Sequence, residues 1–505
     1  MTGVGIGSQT STETLSYASD VGFLGILQAV GRLRGLILLP VIAGSIGTAA
    51  YGVWTQSLLV VFMGSAIIGM QLPVAMVRFV SGSQTRQEQQ SIVIPQLAII
   101  SVIGTFCAFL SRLVPQQTAS LLFGDAEYAS IAGWLGLWIA LATIGGFGLD
   151  LQRGLHYVKR YGVLTTAQII TQLVVVAVVV LVSHQLRAAV LAAIVLEGIW
   201  AFGVLGLGLR EIGLTWPGTA SLRRSFAFSL PLVPSYYGGV VLGIADRLLV
   251  AWTLGPEAVG VYSAAYSLAR LVGEVYGPIQ AALVPAASRL WDRGAMRQGE
   301  RLLTNTLRYY LVLAIPTVAG VALLGPGLLA VLAKQVSTDV IRWIVPLLGL
   351  GFLFNNLQSV FGVLLQLVRD TRPLAISRTV SAFAFSAMVG IAVPRWGLLG
   401  GAVSTSLGYC LDLCITFSLA WRRQRFALPV RSTIKAALAA AGMTLVVLLT
   451  RGDGLLRVSL AMVSGMVAYG LFLVALGGAG RRELSFLLSI VRPGPQGEMR
   501  DSGSL

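Results

Sequence analysis

Charge is scarce in this chain. Asp, Glu, Lys and Arg make up 11% of its 505 residues against 56% hydrophobic, a balance that excludes a water-soluble globular protein. No polar insertion is long enough to fold alone. None carries the paired carboxylates expected of a membrane glycosyltransferase or polymerase. Only two histidines occur, His156 and His184. They fall at opposite ends of apolar stretches and cannot share a metal, so no metal and no cofactor is expected. The three cysteines, Cys107, Cys410 and Cys414, all lie in apolar runs, which excludes a disulfide framework. Cys410 and Cys414 share a helix face, where small packing residues are the simpler reading. No P-loop is present, so the chain does not hydrolyse ATP itself, and no enzyme signature appears. Residues 1–20 contain no Lys or Arg. That excludes a signal peptide, which needs a basic start, and reads as a disordered cytoplasmic tail.

What the chain has in abundance is apolar stretches of membrane-crossing length. A transmembrane helix needs about 20 such residues, and about fourteen segments qualify. The first six run over 22–43, 51–76, 91–113, 128–149, 161–183 and 187–209. The next six run over 227–251, 258–285, 306–332, 341–366, 374–394 and 398–420. Two more follow at 432–450 and 455–477. The expected fold class is an all-α integral membrane protein. It has two pseudo-symmetric six-helix lobes, 21–210 and 227–420, around a central cavity. A cytoplasmic linker, 211–226, joins the lobes; two further helices lie within 421–477, and a cytoplasmic tail occupies 478–505.

The 36 Lys and Arg residues and the formal net charge of +16 are dispersed through short loops, which points to anionic headgroups and topology rather than nucleic acid. Gaps after even-numbered spans and their edges, from Arg78 and Arg86 through Arg289, Arg293, Arg297, Arg301 and Arg308 to Arg422, Arg423 and Arg425, take most of them. The other gaps hold only Arg112, Arg187, Lys334, Arg342, Arg395, Arg451 and Arg457. The positive-inside rule then puts both termini in the cytoplasm.

An internal repeat divides the chain. Gly47-Thr48-Ala49-Ala50-Tyr51-Gly52-Val53-Trp54 opens the second span, and Gly255-Pro256-Glu257-Ala258-Val259-Gly260-Val261-Tyr262 opens the eighth. Both read Gly, four residues, Gly-Val-aromatic. A second echo links Leu155-His156-Tyr157-Val158-Lys159-Arg160 to Leu365-Gln366-Leu367-Val368-Arg369-Asp370, again six spans apart. An even interval implies parallel halves about an axis along the membrane normal, a transporter architecture.

Four arginines fall deep inside apolar stretches: Arg32, Arg34, Arg247 and Arg270. Each costs about 2.5–3.5 kcal/mol at mid-membrane unless it meets water, a partner or a ligand. Arg32 and Arg34 are two residues apart, about 200° around a helix, so facing one cavity requires local irregularity, which Gly31 and Gly35 permit. The alternative is a later start to the first span, with both side chains snorkelling inward. Tyr262, Tyr266, Arg270 and Glu274, spaced by four, form one stripe. It reads either as a cavity wall offering a cation to an anionic headgroup or as an intrahelical Arg–Glu pair beneath packed tyrosines. Asp246-Arg247 reads as a structural couple near the outer boundary. Glu197, Asp246, Glu274 and Asp412 are candidate ion-coupling acids, each with a structural hydrogen bond as the simpler alternative.

Three stretches resemble the polysaccharide-specific transporters of the multidrug/oligosaccharidyl-lipid/polysaccharide (MOP) flippase superfamily, which includes the O-antigen and exopolysaccharide flippases. The first is Gly69-Met70-Gln71-Leu72-Pro73-Val74-Ala75-Met76-Val77-Arg78-Phe79. The second runs from Phe228-Ser229-Leu230-Pro231-Leu232 through Asp246-Arg247, Leu254 and Tyr262 to Pro285-Ala286-Ala287-Ser288-Arg289-Leu290. The third is Trp396-Gly397-Leu398-Leu399-Gly400-Gly401-Ala402. The resemblance implies a cavity that opens alternately to each side and a polyprenyl-pyrophosphate-linked oligosaccharide as cargo. Arg32, Arg34, Arg270, Tyr262, Tyr266 and Arg78 are then the candidate cavity residues, because guanidinium groups bind pyrophosphate bidentately. Arginines in the first and eighth spans also look like the arrangement in lipid II flippases of the superfamily, although the surrounding residues do not follow that branch closely. The expected partners are the lipid-linked oligosaccharide, membrane lipids, a polysaccharide polymerase and glycosyltransferases, with the chain itself a monomer. Two other readings stay open: a cation or drug antiporter of the same superfamily, and a membrane glycan polymerase or ligase.

Overall fold

The computed structural model describes residues 34–215, 218, 220–292, 296–332, 338–367, 372–450, 452 and 454–478. The expected N-terminal tail, Arg32, and the tail beyond residue 478 lie outside them. Among the described residues every regular element is helical. In chain order these are α1 (Arg34–Ser45), α2 (Thr48–Gly69), α3 (Leu72–Ser81), α4 (Arg86–Leu113), α5 (Pro115–Phe123), α6 (Ala129–Gly154), α7 (Val158–Ser183) and α8 (Leu186–Ile212). Then come α9 (Ala220–Ser229), α10 (Val233–Glu274), α11 (Tyr276–Asp292), α12 (Met296–Leu332), α13 (Thr338–Leu367), α14 (Arg372–Arg423), α15 (Val430–Thr450) and α16 (Leu455–Ala475).

Eleven of the described helices are long and apolar enough to cross a membrane, and two of them reverse direction on the way. A straight α10 of 42 residues would be about 63 Å long, roughly twice the hydrocarbon thickness. It folds back instead at Gly255, whose φ of 82° only glycine adopts freely. The Tyr262 hydroxyl thereby reaches Asp246, sixteen residues earlier, at 2.9 Å. The 52-residue α14 reverses in the same way at Gly397, which brings the Ser377 hydroxyl to Asp412 at 2.6 Å. The expected spans 227–251 with 258–285, and 374–394 with 398–420, are therefore hairpins.

Three boundaries differ from the sequence expectation. The second span stops at Gly69 because the ring of Pro73 excludes the carbonyl four residues earlier. The chain turns through Met70 and Gln71, both at positive φ, and restarts as α3. The expected gap at 114–127 contains the short helix α5, started by Pro115 and ended by Gly124 at φ 76°. Part of the expected linker, 211–226, is itself helical as α9.

Helices α2 and α4 to α8 pack on one another as a first lobe, and α10, α12, α13 and α14 as a second, with α15 and α16 lying against α12. Outward faces stay apolar. Val174, Val178 and Val182 on α7, Leu445 and Leu449 on α15, and Leu460 and Leu471 on α16 are all exposed, as suits contact with hydrocarbon and not water.

The end holding most of the Lys and Arg residues is here called the basic end. At the opposite end both lobes share one core. It joins Leu38, Leu39 and Ile42 of α1 and Tyr51, Val53 and Trp54 of α2 to Ala265, Leu268 and Val272 of α10 and Ile344 and Leu348 of α13. At the basic end the core divides in two. One part, with Leu72, Met76, Phe147 and Leu151, belongs to the first lobe. The other, with Leu283, Tyr310, Phe361 and Leu364, belongs to the second. The lobes are thus fused at the far end and separately packed at the basic end, where the α9 connection and a hydrogen bond from the Tyr237 hydroxyl to the Ala66 carbonyl, 2.7 Å, still tie them.

Candidate functional site

The repeated motif forms the seam between the lobes. Its first glycine, Gly47 or Gly255, reverses the chain at positive φ, and its second, Gly52 or Gly260, is the point of contact. A Cβ on Gly52 would overlap the carbonyl oxygen of Pro256, and one on Gly260 would overlap that of Thr48. Each motif's sixth residue therefore rests on the other motif's second, the reciprocity expected of a two-fold relation. Nearby, Gly124 approaches the Ala251 backbone just as closely, and the Trp252 indole N–H donates to the Leu121 carbonyl. The far end is closed by backbone against backbone.

Hydroxyl groups continue the seam inward. Thr55 Oγ1 donates to Ser263 Oγ at 3.0 Å. The Tyr51 hydroxyl donates to the Gly35 carbonyl at 3.1 Å and lies 3.5 Å from Ser267 Oγ. Tyr51 lies inside the repeated motif, but Thr55, Ser263 and Ser267 carried no charge or motif in the sequence, and only their placement one and two turns past the repeated glycines could have flagged them.

Below the hydroxyls the seam ends in two arginines. Arg34 adjoins Gly35, where a Cβ would stand 3.0 Å from Ser267 Oγ, and Arg270 lies three residues beyond Ser267. Arg34 precedes Gly47 by thirteen residues and Arg270 follows Gly255 by fifteen, which puts both at a depth of about 20 Å from the far end. Arg34 is deep among protein atoms and within electrostatic range of Arg270 and Glu197, yet it keeps accessible surface. The Arg270 side chain is 54% exposed and pairs with Glu274 at 3.0 Å. Of the two alternatives for Arg270, the intrahelical pair with Glu274 is present, and the side chain also keeps exposed surface. Arg32 lies outside the described residues.

The remaining candidates are dispersed. Tyr262 and Tyr266 are buried, and they support Asp246 and Arg247 instead of lining open space. Asp246 accepts from Tyr262 at 2.9 Å and from Thr405 Oγ1 at 2.8 Å, which ties three spans together. Its expected coupling to Arg247 is limited to the backbone, through the Arg247 N–H at 2.8 Å. Glu197 accepts from Gln168 at 3.0 Å and Gln172 at 3.3 Å, within the first lobe. Asp412 is wholly buried against Arg378 at 3.0 Å.

Arg78 stands apart from Arg34 and Arg270, because the break at Met70 and Gln71 puts it on α3 at the basic end. There its guanidinium lies 5.0 Å over Phe228, while Arg224 lies 4.5 Å over Phe79 and the two phenyl rings meet at 5.6 Å. This four-residue lattice fastens α3 to the chain connecting the lobes. Such contacts are each worth about 0.5–1 kcal/mol when exposed. We expect Phe228→Ala, which removes two of them, to lower the unfolding midpoint by a few degrees, as measured by fluorescence in detergent.

Two helical lobes fused at one end around a repeated glycine motif, the second carrying the α10 and α14 hairpins, define a multi-pass helical membrane protein. The chain belongs to the family described as polysaccharide biosynthesis protein, which it matches over residues 17–291. It is 27% identical over 261 residues to a probable flippase, AglR, of Haloferax volcanii, covering 48% of this chain and 52% of that protein. A putative O-antigen transporter of Shigella flexneri is 24% identical over 193 residues, covering 38% of this chain and 45% of that protein. The chain thus spans about half the length of the curated relatives it matches. In fold it is similar to the lipid II flippase MurJ in an inward closed conformation (TM-score 0.74, 14% identity, 93% of this chain and 100% of that one). It is also similar to an inward-facing multidrug resistance MATE transporter (TM-score 0.62, 14% identity, 78% and 94%).

Proposed function

We propose that this protein moves a polyprenyl-pyrophosphate-linked oligosaccharide, such as an O-antigen or exopolysaccharide repeat unit, across a bacterial inner (plasma) membrane by alternating access. Both termini and the basic end face the cytoplasm in this reading. The observation that carries it is the electrostatic proximity of Arg34 and Arg270, one from each lobe, beneath a seam that is shut at the far end. A doubly charged headgroup entering from the basic end meets two guanidinium groups there, and charge-assisted bidentate bonds are the strongest polar contacts available to it. The same cations disfavour a cationic drug as cargo. The absence of any outer polar domain from the sequence leaves a polymerase or ligase without an acid–base pair.

Binding at one level does not by itself move cargo. Transport requires that the fused end open and the separate end close, so that the same arginines face the other side. A membrane potential or ion gradient supplies the bias; of the candidate acids Glu197, Glu274, Asp246 and Asp412, the last two already hold structural hydrogen bonds or an ion pair, which leaves Glu197 and Glu274 as the better-placed pair. A polysaccharide polymerase and glycosyltransferases are the expected neighbours in the membrane.

The test is leaflet transfer of a fluorescent pyrophosphate-linked oligosaccharide by the purified chain in liposomes. Arg34→Ala and Arg270→Ala should each slow transfer by about tenfold, the value of one charged hydrogen-bonded contact, with insertion unchanged. Wild-type rates in both would sink the proposal. Chain elongation of the lipid-linked glycan would replace it with the polymerase reading.

A further inference from the structure

Arg34 and Arg270 both have an acid to balance them: Glu197 lies within range of the first and Glu274 pairs with the second. Among the described residues no carboxylate contacts the Arg247 guanidinium. Its neighbour Asp246 is fully engaged by Tyr262, Thr405 and the Arg247 backbone. The guanidinium instead donates to the Gly243 carbonyl at 2.6 Å and lies 4.0 Å over the Tyr266 ring. Its Nε is buried with no partner at all. An aromatic face and one carbonyl are a makeshift setting for a charge within the membrane.

Its depth gives that setting a meaning. Arg247 precedes Gly255 by eight residues, about 12 Å from the far end, whereas Arg34 and Arg270 lie at about 20 Å. Arg247 belongs to the first arm of the α10 hairpin and Arg270 to the second, and Tyr266 lies against Arg247 one turn from Arg270. Tyr51 of the other lobe is within electrostatic range of Arg247 as well. The cation is therefore at the seam, above the paired arginines and beneath the glycine closure.

We infer that Arg247 is a second anion station, occupied by the pyrophosphate after it leaves Arg34 and Arg270 and before release at the far end. The inference rests on the proposed cargo. With the seam shut, the guanidinium is parked on Tyr266. When the lobes part along α2 and α10, the tyrosine face and the carbonyl are exchanged for the phosphate oxygens. The exchange is favourable because the guanidinium holds no ion pair that would have to be broken, and its Nε gains a partner.

The experiment compares Arg247→Gln, Arg247→Met and Arg247→Lys with wild type, reconstituted as the full chain, using the same fluorescent pyrophosphate-linked lipid. Transfer is expressed per folded molecule, with the folded fraction taken from thermal unfolding. The maximal rate should fall about tenfold in the Gln and Met variants, and Lys should lie between, since it keeps the charge but not the bidentate fork. The half-saturating lipid concentration should stay within about threefold, because loading occurs at the inner pair. Wild-type maximal rates in Gln and Met, or losses fully accounted for by unfolded protein, would overturn the inference. So would a half-saturation that rises by about tenfold or more, the mark of a loading site. If Arg34→Ala and Arg270→Ala also transfer normally, it is the cargo assignment that falls.

Discussion

Gly52→Ala and Gly260→Ala, made singly, should hold the far end of the protein open and stop transport from completing. A single methyl group at either position overlaps a backbone carbonyl, of Pro256 or of Thr48. A carbonyl cannot rotate aside like a side chain, so α2 and the second arm of α10 must separate. Overpacking of this kind costs about 1–3 kcal/mol, charged only to the state in which the seam is closed. That changes the ratio of closed to open forms by about fivefold to a hundredfold. Local helix stability works in the opposite direction, since alanine favours a helix over glycine by roughly 0.5–1 kcal/mol. A loss therefore reports on the crossing and not on the helix. The measurement is labelling of a cysteine placed at Ser263, which is buried beneath the seam, in a chain whose Cys107, Cys410 and Cys414 have been replaced. A membrane-impermeant maleimide added from the far side should react slowly with the parent and about tenfold faster with either alanine variant. Equal rates in all three would show that the reciprocal contact is not the closure. The motif relation adds a sharper requirement: the two substitutions, in different lobes, should act alike.

The repeat was legible in the sequence as a pattern, and with it the two reversals, because a glycine that turns a chain leaves the same mark wherever it stands. Its geometric meaning was not legible. Nothing along the chain says that Gly52 meets Pro256, since a contact between positions two hundred residues apart is fixed by how helices stack and not by local propensity. The charges show the same division. Their alternation was readable because topology depends on which gap holds a cation. Their partners were not, as adjacency in sequence proved a poor guide in a helical protein: Asp246 bonds to Tyr262 and Thr405 instead of the Arg247 side chain beside it. Arg378 is the partner of Asp412, thirty-four residues away and reached across a hairpin. Arg78 carries the family-like motif, yet a proline five residues before it moves it onto a separate helix.

Arg378→Met should unfold the second lobe far more readily than any substitution at the seam. Asp412 is wholly buried, and Arg378 reaches it at 3.0 Å while also donating to Gln358 at 2.6 Å. Ser377 donates to the same carboxylate at 2.6 Å, and its hydroxyl lies 3.0 Å from Thr416. Removing the guanidinium leaves a buried carboxylate with only hydroxyl support, a loss of about 3–5 kcal/mol. Removing both charges is a different matter, because desolvating the pair offsets most of what their attraction returns. The double variant Arg378→Met/Asp412→Leu should therefore recover most of the stability, to within about 1–2 kcal/mol of wild type. Thermal unfolding of the full chain in detergent, run as a double-mutant cycle, gives the coupling directly. A double variant no more stable than Arg378→Met would mean that the two residues act independently. Transfer assays on the same four proteins then separate structure from coupling. A double variant that folds and transfers normally assigns Asp412 to holding the α14 hairpin closed on α13. One that folds but no longer responds to an imposed gradient assigns it to the driving ion. We expect the first outcome, because a carboxylate already committed to an arginine and a serine has little left to offer a proton or sodium ion.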